Sequence, residues 1–310
     1  MAKPFNYGGQ AVIEGVMMRG SKRMTVAVRQ PDGEIHVHSE PLDPRIYSSF
    51  INKVPFLRGV TLLWDALGLG MRALMFSADV AMGEEDVEFK GPVAWGTVAV
   101  SLLMAVGIFF VVPLLIIGWV EQFMGEGIMS NVLEGIIRLA MFIGYVWLIG
   151  FMPDIRRVFG YHGAEHKAIN SYEHGIPLIP SEMQKETIVH PRCGTAFLLI
   201  VMVISIFVFV LLGTPALWIR IISRILLIPV IAGIAYEFLK FSAAHMTNPI
   251  MKMLIAPGLW LQKLTTREPD ESMLEVSAAA LTRLLEEEHM IPAANTDTPL
   301  PEGMPAPADI

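Results

Sequence analysis

The chain has 310 residues, 53% of them apolar and only 17% charged, where a soluble domain carries about a quarter. The net charge of −7 belongs to one end: residues 266–310 hold ten acids and two bases, and the rest is near neutral, with no basic face of interleaved aromatics to mark a nucleic-acid partner. The single cysteine, Cys193, excludes an internal disulfide, and no apolar stretch follows the first few residues, so no signal peptide is expected.

In chain order, residues 1–45 read as a β-rich segment. Met24–Arg29 alternates, Gln30-Pro31-Asp32-Gly33 supplies a turn, and Glu34–Glu40 alternates again, which predicts a β-hairpin. Gly8–Gly20 adds a further strand and a turn. His36 and His38 alternate with Glu34 and Glu40 as an exposed strand face would. From Ile46 to about Met82 the apolar spacing is helical and amphipathic, so residues 46–90 are expected to lie against or dip into the membrane interface.

Residues 91–265 carry four runs near the length that crosses a bilayer, about 20 apolar residues. They are Val93–Val120, Val132–Met152, Thr195–Leu212 and Leu217–Phe238. Glu134 and Arg138, four apart in the second run, can neutralise each other. Pro229 is expected to kink the fourth. The fold class is therefore mainly α: a polytopic membrane protein of about four transmembrane helices, with interfacial amphipathic helices and a small N-terminal β-hairpin region. Lys90, the bases of the loop 153–195, and Lys240, Lys252 and Lys263 place both termini and that loop in the cytoplasm of a plasma membrane. Ile250–Leu261 reads as a short interfacial element. Residues 266–290 form an acidic helix with Met273, Val276, Ala280, Leu281, Leu284 and Leu285 on one stripe. Residues 291–310, rich in Pro, Ala and Thr, are expected to be disordered.

The chemistry concentrates in the loop 153–195. His162 and His166 stand one helical turn apart, and Glu165 lies beside them as H-x-x-E-H, the reverse of the zinc-protease helix motif. Two imidazoles on one face can share a divalent metal, most naturally zinc, and the carboxylate can take a proton from water there. Gly175 and Pro177 should end this helix. Gly163 inside it costs roughly 1 kcal/mol relative to Ala unless something approaches the backbone there. A zinc site needs at least three protein ligands. Glu173 is about 16 Å along the helix from His162 and too far to help. His190 and Cys193, three apart, are the better candidates, with His245 and Glu14 as further polar groups. His190 and Cys193 together would close a structural site of four ligands; one of them alone leaves a position open and makes Glu165 a credible general base.

Four segments carry a resemblance: GGQAVIEGVMMRG at 8–20, YHGAEHK at 161–167, HPRCGT at 190–195 and TTREPD at 265–270. On these residues the chain resembles the YqhQ-like family of bacterial membrane proteins over about residues 7–288. The resemblance implies a multi-pass membrane protein, and the family is described as a predicted metal-dependent enzyme. It implies no substrate.

The reading is thus a membrane protein with a metal site at the cytoplasmic interface, a metal-dependent hydrolase in which Glu165 activates water and His162, His166, His190 and Cys193 supply the ligands. The lipid bilayer is its partner, and a membrane lipid or membrane-bound peptide is the natural substrate class. The alternative is a non-enzymatic scaffold or assembly factor with a structural metal, whose acidic C-terminal helix docks a partner. A transporter is the weaker third reading, because the spans hold few charges.

Overall fold

The computed structural model describes residues 7–47, 54–83, 92–125, 127–245 and 247–291. The expected disordered tail lies almost wholly outside them.

The N-terminal segment forms an antiparallel meander of four strands in sequential order: β1 (Gly8–Val12), β2 (Gly15–Arg19), β3 (Arg23–Arg29) and β4 (Ile35–Pro41). The period-two pattern sends side chains to both faces. Val16, Met18 and Ala27 enter one buried cluster, and Met17, Met24, Val26 and Val28 enter another. A one-turn helix, α1 (Pro44–Tyr47), follows β4.

The amphipathic region divides in two. Helix α2 (Arg58–Trp64) leans on the membrane bundle, while α3 (Gly70–Met82), reached through a π-helical turn at Asp65–Leu69, covers one face of the sheet with Ala73, Phe76 and Val80.

The first long run comprises α4 (Pro92–Val106), a π-turn at Gly107–Val111 and α5 (Val112–Met124). The second is α6 (Ile128–Ile149). After a three-residue break comes α7 (Pro153–Glu173), then a loop holding the short α8 (Pro180–Met183), and then the third run, α9 (Gly194–Leu212). Among the described residues, three helices are long and apolar enough to cross a membrane, and a fourth if a bent pair counts as one span. That pair is α10 (Leu217–Leu226) and α11 (Ile228–Ala243), set at 44° to each other. The expected kink is a full break at Leu227, and Pro229 sits in the first turn of α11, where its missing N–H leaves no helical bond unmade. Glycines let the bundle helices close up. A Cβ on Gly59 of α2 would lie 2.6 Å from Gly233 Cα of α11, and one on Gly258 would lie 3.1 Å from Ala196 Cβ of α9.

Two expectations change in three dimensions. Residues 250–261 belong to a longer helix, α12 (Pro249–Thr265), which packs along α9 and buries Ile255, Leu261 and Gln262. The acidic C-terminal helix, α13 (Glu271–Glu287), offers no free apolar stripe for a partner. It covers the second face of the sheet and packs on α7, with Leu274, Val276, Leu281, Leu284 and Leu285 fully buried. At about 1.5–3 kcal/mol per large apolar side chain, that burial is worth on the order of 10 kcal/mol as an upper estimate. The sheet, α3, α7 and α13 thus make a layered unit joined to the membrane ends of α6 and α9.

Candidate metal centre

Helix α7 carries two functional stripes. Tyr161, Ala164 and Ala168 face α13 and the sheet and are fully buried. The stripe of His162, His166 and Asn170 faces the loop that leads to α9. Gly175, in the left-handed region at φ +70°, ends the helix, and Ile176 N–H donates back to Ser171 O (2.8 Å).

Both histidines have defined tautomers. A carbonyl only accepts, so His162 Nδ1–H donates to Thr265 O (2.9 Å) and His166 Nδ1–H donates to Ile188 O (2.6 Å). In each neutral ring the lone pair is then on Nε2. Cys193 is the N-cap of α9, and its Sγ lies 3.2 Å from His162 Nε2 and 3.1 Å from Thr195 Oγ1. His166 Nε2 is buried with no hydrogen-bond partner among the described residues. Donor atoms of His162, His166 and Cys193 all lie within 4.8 Å of one another, and among the described residues no other group of His, Cys, Asp or Glu meets that test. A tetrahedral ion with N and S donors at about 2.0–2.3 Å sets them about 3.3–3.8 Å apart, so the three need only small adjustments to share one ion. The carbonyls on the Nδ1 atoms are the outer partners that metal-binding imidazoles ordinarily have.

Glu165 is buried, 3.9 Å from His162 Nε2, and accepts from the Gly9 backbone N–H. Burial raises its carboxyl to about 7, against the opposing effects of His162 and the Gly9 bond. A Cβ on Gly9 would lie 2.9 Å from Glu165 Cγ, so β1 reaches the site only as glycine. Gly163 has a similar explanation. The chain leaving α12 crosses the helix there: a Cβ would land well under 3.0 Å from Arg267 O, and Arg267 N–H donates to Phe159 O (2.9 Å).

The loop is clamped from both sides. Lys167 Nζ donates to Gln184 O (2.7 Å) and Asn170 Nδ2 to Thr187 O (2.8 Å). Gln262 of α12 both donates to His190 O (2.7 Å) and accepts from His190 N (3.2 Å). His190 lies outside the three-donor cluster. Its Nε2 turns to Glu173 (3.8 Å), which also pairs with Arg192. Burial, with Arg192 and His166, holds His190 below the usual histidine range although Glu173 opposes this. Glu14 stands at the tip of the β1–β2 hairpin at φ +50°, paired through both oxygens with Arg157 and taking a bond from Tyr161 OH, so it fixes α7 to the sheet. His245 is exposed, and its Nδ1 faces Phe241 O (2.8 Å).

A family model described as "Protein of unknown function (DUF1385)" matches residues 54–287. The chain belongs to this family. "Uncharacterized protein YqhQ" of Bacillus subtilis (strain 168) is 35% identical over 295 residues, covering 91% of this chain and 93% of the relative. No solved structure matches. The DUF1385 match begins after the sheet, but the relative covers nearly the whole chain.

Of the residues singled out in the sequence, His162, Glu165, His166 and Cys193 come together, while His190, Glu14 and His245 take other roles. Residues with no assigned role in the sequence reading are Gln262, Lys167, Asn170 and the Thr265 and Ile188 carbonyls. Lys167 and Thr265 lie in segments that carried the family resemblance; Gln262 had no signal.

Proposed function

We propose that the chain is a membrane-embedded metal-dependent hydrolase whose ion is held by His162, His166 and Cys193. The observation that carries this reading is His166 Nε2, a buried acceptor without a partner, set beside an imidazole nitrogen and a thiol. An orphaned polar atom at such depth is expensive unless a ligand meets it. Two nitrogens and a sulfur suit zinc, which when bound supplies Lewis acidity. Three protein ligands leave a position for water or substrate, and Glu165 is placed to take the proton from water. Cys193 caps a membrane-spanning helix and α7 begins three residues after another ends, so the site lies at the bilayer boundary, on the cytoplasmic side by the distribution of Lys and Arg. A membrane lipid or membrane-bound peptide is the substrate class this position favours.

The deep burial of His166 and Cys193 also fits a structural metal, so the test must separate the two. Metal content and hydrolysis of vesicle-borne ester and amide substrates are measured on the purified chain and on His166→Ala and Glu165→Gln. Wild type should carry one zinc and hydrolyse a substrate. His166→Ala should lose both, and Glu165→Gln should keep the metal and lose turnover. Full turnover in Glu165→Gln would refute the catalytic reading, and wild type without metal would refute the whole.

A further inference from the structure

The bundle holds a second polar assembly at the end away from the His-rich loop. The connections after α5 and α9 meet there, where Asn131 Nδ2 donates to Gly213 O (2.9 Å). Glu134 is held by Arg138 (2.5 Å) on one oxygen and Arg224 (2.9 Å) on the other, and these three side chains are at most 2% exposed. Arg224 also reaches Asn131 Oδ1 (3.2 Å). One turn earlier in α10, Arg220 forks onto both oxygens of Glu121 (2.9 and 3.2 Å), which also takes the Ser130 hydroxyl.

The charges do not balance. Among the described residues the assembly has three guanidiniums and two carboxylates; Arg220 is matched by Glu121, so the excess lies on Arg138 and Arg224 around Glu134, and a guanidinium does not shed its proton. Phe209 lies 5.3 Å from Arg138 and 4.4 Å from Arg224, which spreads the excess charge without cancelling it. Arg138 Nε is satisfied by Phe109 O (3.0 Å) in the π-turn. Among the described residues, Arg220 Nε and Arg224 Nη1 are buried and have no partner. Against Arg220 opens a cavity of about 230 Å³, bounded also by Leu114, Gly118, Glu121 and Thr214. An uncompensated charge within a membrane bundle is costly and marks a functional site.

We propose that this cavity binds a singly charged oxyanion of the phosphodiester type, seated on Arg220 one turn from Arg224 and offsetting the net positive charge of the assembly. A guanidinium matches such a group in both shape and charge. Thr214 also lines the cavity, and Glu121 is already engaged by Arg220 and Ser130. The site does not depend on the metal reading, because it lies at the other end of the bundle. A phosphodiester can arrive free or as a lipid headgroup, and the test distinguishes the two.

Thermal unfolding of the full chain in neutral detergent is followed with dimethyl phosphate against sodium chloride at equal ionic strength. It is followed separately with phosphatidylglycerol against a neutral glycolipid. The expected result is a saturable rise in Tm of a few degrees. A response to dimethyl phosphate assigns a free-anion site, and a response to phosphatidylglycerol alone assigns a lipid headgroup. Arg220→Gln should abolish the response. Because that change also frees Glu121, Gly118→Leu is the second variant: it leaves every charge in place and projects into open space beside the cavity. Loss of the response in a folded Gly118→Leu supports the proposal. No response in wild type, an equal rise with chloride, or an undiminished response in Gly118→Leu overturns it.

Discussion

Replacing Gly163 by alanine sets two physical effects of opposite sign against each other. Helix propensity alone favours Ala by about 1 kcal/mol. In the folded chain the new methyl would land well under 3.0 Å from Arg267 O and 3.3 Å from Pro269 Cδ, and one of those is backbone that cannot rotate aside. Overpacking of this kind costs about 1–3 kcal/mol. Displacing the crossing segment also breaks the Arg267 N–H bond to Phe159 O, worth about 1 kcal/mol. The balance is a loss of about 2 kcal/mol, or roughly 3 °C in Tm for a chain of this length. The same displacement moves Thr265, whose carbonyl orients His162, so zinc affinity should fall with stability. Differential scanning fluorimetry and a competitive zinc titration on the Gly163→Ala chain measure both. A variant as stable as wild type, binding zinc equally well, would show that the crossing segment does not demand glycine here.

Gln262→Leu strips two hydrogen bonds from the buried His190 backbone and leaves its N–H unpaired, at about 1–3 kcal/mol, which a lowered Tm should show. His190→Asn should keep one zinc per chain by elemental analysis, because the ring faces Glu173 and not the donor cluster; loss of the metal would restore His190 as a ligand. Asp270 caps α13 by accepting from Met273 N–H (2.9 Å), and Asp270→Ala should cost about 1 kcal/mol at neutral pH. Burial pushes the Asp270 carboxyl up, but the Ser272 and Met273 hydrogen bonds and the Arg157 charge outweigh it and hold the group below its ordinary value. Its contribution is therefore complete above the unfolded value of about 3.9 and lost as pH falls through the lower folded value. The gap in urea midpoint between wild type and Asp270→Ala should narrow only below about pH 4. A gap that closes near neutral pH would contradict this.

Much of the fold is legible because it rests on local pattern. The alternation around Gln30–Gly33 specifies the hairpin, and runs of apolar residues specify the spans. The stripe on Glu271–Glu287 announces a buried face but not what buries it, since the sheet it covers lies more than 230 residues earlier in the chain. The break at Leu227 and the continuation of α12 through Pro257 depend on packing that no single window contains. At the site, the one-turn spacing of His162 and His166 is visible in the sequence because helix geometry alone aligns them. His190 and Cys193 look equivalent there, three residues apart in a loop. Partners on other elements separate them: Gln262 holds the His190 backbone, Glu173 takes its ring, and the start of α9 turns Cys193 toward His162. The Thr265 and Ile188 carbonyls leave no mark in the sequence, because any residue supplies one.

Zinc-edge X-ray absorption on the purified, metal-loaded chain examines the centre most directly. The arrangement requires two imidazole nitrogens at about 2.0–2.1 Å and one sulfur at about 2.3 Å, with the sulfur lost in Cys193→Ser and both imidazoles retained in His190→Asn. A shell without sulfur in the wild type, or a chain that holds no ion at all, would contradict it.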